Sequence, residues 1–353
     1  MTGKSLPYGI LDGKPLPMAD ASERLSTRLF MYGEGCFDTL RSCAGGFLHP
    51  DRHLQRLHKG MEHLGWNPPD LLHDEPGFLQ TLWLFLNCNN ATERQVRIRI
   101  QVWADDHTTG YRTAHDRAPS SRFLITGSLL PEPDRSGQSS QAGHSSRSDQ
   151  SSQSDQSGQY KRPNQSSQSG HSTRFERFNP LEGHLPGMDR QQVTLATSRY
   201  RRIASDALPP TVKWTNGINY ILAAREAAAR GSDDALMLSS DGFVSETTIA
   251  NIFWKQGGEV FTPSDDCDLL PGVTRAVLMQ ILHDAGYPLK RGRYAPEQLE
   301  RADTVWVCNS VREIAPVTRL DAYSYEADRE FLSDLYGRYQ QYKKGNLVYA
   351  PTV

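Results

Sequence analysis

The spacing of apolar and polar positions predicts alternating strands and helices along most of the chain. Residues 95–103 alternate between polar side chains and Ile98, Ile100 and Val102, which is the period of a half-buried strand. Residues 218–230 repeat small or apolar side chains at intervals of three and four, which is typical of a helix, and Gly231 follows where a left-handed C-cap is common. The same criteria predict strands over residues 36–44, 47–48, 122–127, 192–198, 234–238, 243–245, 252–254 and 304–308, and helices over residues 51–64, 77–86 and 274–285.

Residues 213–254 place an amine and a carboxylate close together in the predicted order of elements. Lys213 comes just before the helix, while a strand, an Asp241-Gly242 hairpin turn and a second strand deliver Glu246 to a strand end. A pyridoxal phosphate enzyme needs these two groups, since a lysine forms the Schiff base and a carboxylate keeps the pyridine nitrogen protonated. We therefore expect Lys213 to be catalytic and Glu246 to face the cofactor ring.

One low-complexity segment divides the chain into two α/β units. From about residue 131 to residue 174 the sequence is almost entirely Ser, Gln, Gly, Asp and His, which cannot bury enough apolar area to offset its ordering entropy. We expect a disordered insertion, either a tolerated expansion of a surface loop, a regulatory or partner-binding segment, or a substrate lid. The predicted division is an N-terminal α/β domain over residues 1–128, a linker over 129–190 and a cofactor-binding domain over 191–353.

Composition narrows the class of protein. The 353 residues are enough for two domains, and a net charge of -2 gives no electrostatic case for nucleic acid. The five cysteines show no paired spacing, which favours reduced thiols in a cytoplasmic protein over a disulfide scaffold or a metal site. The sequence has neither the apolar run of a signal peptide nor a membrane-spanning stretch, so we expect no membrane partner.

Five short blocks, in order, resemble those of the fold-type IV pyridoxal phosphate enzymes, which include branched-chain aminotransferases, D-amino acid aminotransferases and aminodeoxychorismate lyases. The blocks are Tyr32-Gly33-Glu34-Gly35-Cys36-Phe37-Asp38-Thr39, His53-Leu54-Gln55-Arg56-Leu57, the Lys213 to Phe253 region, Leu270-Pro271-Gly272-Val273-Thr274-Arg275 and the run from Asn309 to Val317. The resemblance implies an α/β (α+β) fold of the two-domain D-amino acid aminotransferase-like type. In that fold a small N-terminal α/β domain precedes a larger C-terminal domain with a β-barrel-like sheet core. It also implies pyridoxal 5'-phosphate as cofactor and a homodimer.

The resemblance and the local chemistry together give a set of candidate site residues. Charge-assisted hydrogen bonds and a helix N-terminus suit a phosphate group. The expected cofactor-binding residues are Arg56, Lys213, Glu246, Thr248, Asn251, Gly272, Val273, Thr274, Asn309 and Ser310. The candidate substrate-binding residues are Phe37, Thr39, Arg97, Arg99, Arg112 and Arg312.

These expectations favour a transaminase that moves an amino group between an amino acid or primary amine and a 2-oxo acid. An aminodeoxychorismate lyase, which forms 4-aminobenzoate and pyruvate, is the alternative enzyme, and a non-catalytic interaction protein is the alternative from another class. The subfamily motifs are incomplete. Ile218 stands where branched-chain enzymes carry a tyrosine. Ala104-Asp105 follows Val102-Trp103 where D-amino acid enzymes carry Arg-Gly, and Thr109 precedes Gly110-Tyr111 where the lyases carry an arginine.

Overall fold

The computed structural model describes residues 3–111, 119–131 and 192–350. Arg112 and all but the first residue of the predicted Ser/Gln-rich insertion lie outside these ranges, so the expectations for them stay predictions. The division into domains at residues 128 and 191 stays a prediction as well.

The N-terminal part forms most of a seven-stranded sheet. Its elements are β1 (Tyr8–Leu11), β2 (Lys14–Pro17), α1 (Arg28–Tyr32), β3 (Cys36–Cys43), β4 (Gly46–Leu48), α2 (Pro50–His63), α3 (Glu75–Cys88), β5 (Val96–Ala104) and β6 (Ser121–Leu129), with a short 3-10 turn at Asp70–Leu72. Strands β3 and β5 pair antiparallel at the centre, with Phe37 opposite Gln101 and Thr39 opposite Arg99.

The C-terminal part forms a nine-stranded sheet with three helices. Its elements are β7 (Val193–Thr197), α4 (Ile218–Ala229), β8 (Asp234–Leu238), β9 (Val244–Thr247), β10 (Asn251–Gln256), β11 (Glu259–Pro263), α5 (Val273–Asp284), β12 (Leu289–Gly292), a 3-10 turn (Pro296–Arg301), β13 (Thr304–Asn309), β14 (Glu313–Leu320), β15 (Tyr323–Ser324), α6 (Arg329–Gly345) and β16 (Leu347–Tyr349). The order β10-β13-β14-β7-β8-β9 closes on itself because Glu246 of β9 pairs with Asn251 of β10. This six-stranded barrel confirms the expected sheet core.

The alternation in β5 decides which face of the N-terminal sheet is buried. Ile98 and Ile100 are fully buried in a core that also contains residues of α2 and α3, such as Leu57 and Phe85. Arg97 and Arg99 project from the opposite face. The sheet thus has one apolar face and one polar face, and the polar face adjoins the segment that carries Lys213.

Two ends of predicted elements agree closely with the structure. Gly231 follows α4 with a φ of 69°, and Gly242 has a φ of 90° in the turn between β8 and β9. Ala223 and Ala227 of the predicted apolar helix face are buried, whereas Ile218 at the start of the helix is 63% exposed. The small apolar face predicted for this helix is therefore buried at Ala223 and Ala227, while its first turn is open to solvent.

The C-terminal helix α6 and strand β16 have no counterpart among the predicted elements. Helix α6 buries Phe331, Leu332, Leu335 and Tyr339. After it, β16 pairs with β4, so the last described residues join the N-terminal sheet. The C-terminal segment therefore connects the two sheets, and α6 also borders the candidate site.

Candidate active site

Lys213 lies beside the start of β3 because its own segment runs along that strand. The backbone N–H of Phe37 donates to the Lys213 carbonyl at 2.9 Å, and Thr215 donates to Gly35 at 2.9 Å. The Lys213 amine lies 5.5 Å from the centre of the Phe37 ring, and among the described residues no carboxylate reaches ion-pair distance. Burial first, and then the Arg56 cation, lower the pKa of Lys213 to about 8. A sizeable fraction of the amine is therefore unprotonated and nucleophilic near neutral pH.

Glu246 is a buried carboxylate in the wall of the barrel. Its Oε2 accepts from the Asn251 side chain at 2.9 Å, and its Oε1 accepts from the backbone N–H of Leu270 at 3.2 Å. Burial raises the pKa of Glu246, while Arg202 and the Leu270 N–H oppose that rise. The acid is thus fixed in orientation by both partners, as the expected role requires.

Arg202 is a site residue that the sequence reasoning missed. Its Nη1 lies 3.3 Å from Glu246 Oε1, and its Nε donates to the Asp268 carbonyl at 2.7 Å. Asp268 is itself buried and accepts from the backbone N–H groups of Ser205 and Ser240. The only available signal was an arginine soon after the predicted strand over residues 192–198, which is weak because exposed arginines are common there.

The N-terminus of α5 forms an anion-binding corner. Gly272 is the N-cap and no side chain of the described residues caps the helix, so its first N–H groups remain available, as helix N-termini that bind anions require. Val273 and Thr274 line a cleft together with Ser310 and His53. A Cβ on residue 272 would lie 2.1 Å from Asn251 Oδ1, so only glycine fits between the helix and the Glu246 partner.

Arg56 reaches the same region from α2, but it is held by an acid. Its Nε and Nη2 donate to the two oxygens of Asp38 at 2.6 and 2.8 Å. His53 Nδ1 lies 2.9 Å from Asp38 Oδ1. Burial alone would raise the pKa of Asp38, but Arg56 and His53 outweigh it and hold that pKa well below its usual range. Asp38 and His53 stand in two of the blocks that resemble the family, but the blocks gave no sign of their pairing.

The loop between β13 and β14 is built around Asn309. The Asn309 side-chain oxygen accepts from the backbone N–H groups of Val311 and Arg312, and its amide donates to the Ile249 carbonyl. This leaves Asn309 as a scaffold for the loop, while Ser310 borders the cleft. Arg41 of β3 holds the same loop by donating to the Val311 carbonyl at 2.8 Å.

A buried ion cluster supports this loop from behind. Glu313 is 2% exposed, has a φ of 65° and pairs with Arg41 at 3.5 Å and with Lys343 of α6. Gln340 adds a hydrogen bond to Glu313 at 2.7 Å. Although burial raises it, Arg41 and Lys343 bring the pKa of Glu313 below its ordinary value. Sequence reasoning missed this cluster because it joins three elements that are far apart in the chain.

Two expected site residues lie to the side of this arrangement. The Thr248 hydroxyl donates to Asp234, a buried acid at the start of β8. Arg312 is half-buried and contributes its charge to the surroundings of the same Asp234. The structure therefore brings Thr248 and Arg312 together around Asp234, rather than with the cleft at α5.

The candidate substrate residues of β3 and β5 share the polar face next to Lys213. The Arg99 guanidinium stacks on the Phe37 ring at 3.5 Å and donates to Gln101 at 2.8 Å. Burial, followed by the nearby Arg97 cation, lowers the pKa of Arg99 to about 10. Thr39 and Arg97 lie on this face as well, and Arg97 is exposed. The Arg99 guanidinium and the Lys213 amine thus both lie close to the Phe37 ring.

A half-buried amine, a buried acid and an anion-binding helix terminus define a site for an anionic carbonyl compound. The residues expected to hold the cofactor fit a compound of this kind, because the first N–H groups of α5 have no side-chain cap among the described residues and the Leu270 N–H, two residues before Gly272, holds the Glu246 carboxylate. Among the described residues no cluster of His, Cys, Asp or Glu is arranged to hold a metal ion. No helix in the same ranges is both long and apolar enough to cross a bilayer.

Comparison with known proteins identifies the family. The model of the amino-transferase class IV family matches residues 35–169 and 167–320. The chain therefore belongs to the class IV aminotransferase family.

Individual relatives in this family have different activities. Aminodeoxychorismate lyase of Bacillus subtilis is 40% identical over 108 residues, which is 31% of this chain and 37% of the lyase. Branched-chain-amino-acid aminotransferase-like protein 2 of Arabidopsis thaliana is 37% identical over 130 residues, which is 36% of this chain and 23% of that protein. The chain thus spans well under two thirds of the length of either relative.

Solved structures share the fold over nearly the whole chain. The branched-chain aminotransferase of Thermoproteus uzoniensis with norvaline has a TM-score of 0.71 at 20% identity, covering 98% of this chain and 100% of that chain. The branched-chain amino acid aminotransferase of Thermobaculum terrenum in its PLP-form (holo-form) has a TM-score of 0.70 at 18% identity, covering 99% of this chain and 100% of that chain. At these identities the likeness establishes the fold.

Proposed function

We propose that this protein is a pyridoxal phosphate-dependent transaminase that moves an amino group between an amino acid or primary amine and a 2-oxo acid. The observation that carries the proposal is the Lys213 amine, with its pKa lowered to about 8, in the field of the buried Glu246 carboxylate. The cofactor supplies an aldehyde that condenses with primary amines and a pyridinium ring that accepts electrons from the substrate α-carbon.

Lys213 has two tasks in this proposal. Its unprotonated amine would hold the cofactor through the aldehyde, and the same amine, when free, would act as the base that moves the proton at the substrate α-carbon. Arg56 and Arg202 keep positive charge near it, which favours the neutral base. The hydrophobic ring of Phe37, 5.5 Å away, shields the amine on one side.

Glu246 and the α5 terminus hold the two ends of the ring. Glu246 would face the ring nitrogen and keep a proton there, with Arg202 and Asn251 fixing the carboxylate. The N–H groups of Val273 and Thr274, the Ser310 hydroxyl and the Arg56 cation would bind the phosphate. Asn309 would hold the Ser310 loop in place.

Arg99 is our candidate for the substrate carboxylate. It has no acidic partner among the described ion pairs, and it lies 3.5 Å from the ring of Phe37, next to Lys213. Arg97 adds a second cation on the same face, which favours substrates with two carboxylates. The test is to compare Arg99→Met with Arg97→Met. Arg99→Met should raise KM for a dicarboxylic amino acid at least as much as Arg97→Met does. In Arg99→Met the change in kcat should be smaller than the change in KM.

We further propose a cytoplasmic homodimer. All five cysteines are free thiols, which suits a reducing compartment.

The proposed dimer rests on exposed apolar residues of two helices. Phe30 and Met31 of α1 are 65% and 42% exposed, and Ile218 and Ile221 of α4 are 63% and 48% exposed. Gly33 at the end of α1 lies against Asn216, just before α4, so the two exposed pairs border one edge of the site. Sedimentation equilibrium of the full chain tests whether it forms a dimer, and a monomer at micromolar concentration would contradict the proposed dimer.

The lyase alternative is favoured by one observation, the 40% identity to an aminodeoxychorismate lyase over 108 residues. Both reactions begin at the same lysine, so stoichiometry separates them. An amino acid added without an acceptor should leave the cofactor in its amine form, with one equivalent of 2-oxo acid released. Formation of 4-aminobenzoate and pyruvate from aminodeoxychorismate, without an amino acceptor, would instead assign the lyase reaction.

A further inference from the structure

A chain of hydrogen bonds runs from β3 to the cleft at the α5 terminus. Asp38 Oδ1 lies 2.9 Å from His53 Nδ1, and His53 Nε2 lies 3.5 Å from the Ser310 hydroxyl oxygen. Asp38 is fully buried and His53 is 1% exposed, so water does not compete for these contacts. Ser310 and His53 both line the cleft next to Val273 and Thr274.

The surroundings of Asp38 fix which nitrogen of His53 carries a proton. Asp38 Oδ1 also accepts from Arg56 Nη2 at 2.8 Å and from the backbone N–H of Thr39 at 2.5 Å. An ionised carboxylate can only accept hydrogen bonds, and the charges around Asp38 keep its pKa well below its usual range. His53 Nδ1 must therefore donate to Asp38 in every protonation state of the ring.

The proton on the other nitrogen then controls Ser310. When His53 is neutral, Nε2 has only a lone pair, so the Ser310 O–H donates to it and the serine turns its oxygen lone pairs toward the cleft. When His53 is protonated, Nε2–H donates to the Ser310 oxygen, and the serine hydrogen is free to point into the cleft. An anion in the cleft can accept a hydrogen bond from that hydrogen, in addition to those from the first N–H groups of α5.

We propose that His53 is a positioning residue whose protonation decides whether Ser310 offers a donor or an acceptor to an anion at the α5 terminus. This rests on the proposed function, in which the anion is the cofactor phosphate. A dianion should therefore bind with uptake of a proton by His53. By linkage, binding that is fully coupled to the uptake of one proton weakens about tenfold for each pH unit once that proton is absent from the free protein.

Other charged groups lie in or near the same cleft. Glu313 of β14 lines it and pairs with two cations that also line it, Arg41 of β3 and Lys343 of α6, while Arg56 of α2 is held by Asp38. His49, at the start of α2, bonds to Tyr342 at 2.9 Å, and burial lowers its pKa. Burial and the Arg56 cation lower the pKa of Lys213 to about 8, so this amine also changes its charge near neutral pH. Ser310→Ala leaves all of these groups in place, whereas His53→Gln also removes a charge that helps to lower the pKa of His49, so Ser310→Ala reports the His53-Ser310 pair more directly.

The experiment uses sulfate, a dianion that does not titrate near neutral pH, with the full chain freed of cofactor. Calorimetry between pH 6 and 8, in two buffers of different ionisation enthalpy, measures affinity and proton uptake for wild type, His53→Gln, Ser310→Ala and His63→Gln. His63 is an exposed histidine at the end of the same helix and serves as the control. Circular dichroism checks that each variant folds, and Ser310→Ala keeps the test valid if His53→Gln does not.

Wild type and His63→Gln should take up protons and lose affinity as pH rises, whereas His53→Gln and Ser310→Ala should show a clearly shallower dependence. Equal proton uptake in wild type and in the folded substituted variants would overturn the inference, and so would failure of wild type to bind sulfate. Borohydride reduction with pyridoxal, which lacks the phosphate, tests the proposed function separately. If reduction gives a Lys213 adduct but proton uptake is the same in wild type, His53→Gln and Ser310→Ala, only the inference about His53 is rejected.

Discussion

Replacing Arg202 with methionine tests the electrostatics of the ring-nitrogen acid. Arg202 Nη1 lies 3.3 Å from Glu246 Oε1, and both residues are buried, at 5% and 6% exposure. With an effective dielectric constant of about 20, Coulomb's law gives an attraction of about 5 kcal/mol at this distance. Removing one partner of a buried pair typically costs about 3 to 5 kcal/mol, because the other charge is left without compensation. We expect a loss of that order at pH 7.5.

The loss should depend on pH in a defined direction. Burial raises the pKa of Glu246 in the folded state, so this group favours the folded state below its unfolded pKa and that contribution is lost as pH rises through the folded pKa. Without Arg202 the folded pKa rises further, because the opposing cation is gone. The free energy of unfolding should therefore differ from wild type less at pH 5 than at pH 7.5.

Urea unfolding of the cofactor-free chain at both pH values measures the effect. Arg201→Met is the matched control, since Arg201 is the exposed neighbour of Arg202. A loss in Arg202→Met no larger than in Arg201→Met, or a large loss that is the same at pH 5 and 7.5, would refute the reasoning about the Glu246 charge.

Three further changes test other parts of the site. Gly272→Ala should lower the free energy of unfolding by about 1 to 3 kcal/mol and weaken pyridoxal phosphate binding, because the new Cβ would lie 2.1 Å from Asn251 Oδ1. Gly345→Ala is the control, since it has open space around it and should change neither property. Thermal unfolding and binding titrations measure the two effects. Lys343→Met should lower the free energy of unfolding by about 3 kcal/mol at pH 7 and by less as pH falls, because the lowered pKa of Glu313 adds stability only where that acid is ionised. Urea unfolding measures this loss, with Lys344→Met at an exposed position as the control. Equal losses in the two variants would contradict the prediction. The rate at which the Lys213 amine is acylated should rise with pH around a midpoint of about 8, as measured by peptide mass spectrometry with Lys59 as the reference. Arg56→Gln should move that midpoint upward, because the Arg56 cation lowers the pKa of Lys213. An unchanged midpoint would contradict the role of Arg56.

Local patterns predicted the parts of the fold that are set by neighbouring residues. The alternation in β5 and the glycine that ends α4 each depend on side chains within a few positions. Helix α6 carried a usable signal, because its buried Phe331, Leu335 and Tyr339 are four residues apart, although its many charged residues mask the stripe. Strand β16 has three residues, too few for any period to register, and it forms because β4 offers a free edge.

The candidate site shows the same division. The order of elements correctly predicted that Lys213 precedes a helix and that Glu246 lies near the end of a strand, and the sequence also pointed to Gly272 before α5. The partners that tune Lys213 and Glu246 could not be predicted. Arg202 reaches Glu246 from the segment after β7, which bonds to the end of β8, and Asp38 and His53 meet only when β3 packs on α2. Such contacts depend on how separate elements pack, which residue spacing alone does not encode.

The most direct test of the account is chemical identification of the lysine that binds the cofactor. The full chain is incubated with pyridoxal phosphate, reduced with borohydride and digested, and the modified peptide is sequenced by mass spectrometry. The account predicts one major phosphopyridoxyl adduct on Lys213 that disappears in Lys213→Ala. An adduct spread over exposed lysines, or none at all despite intact folding, would contradict it.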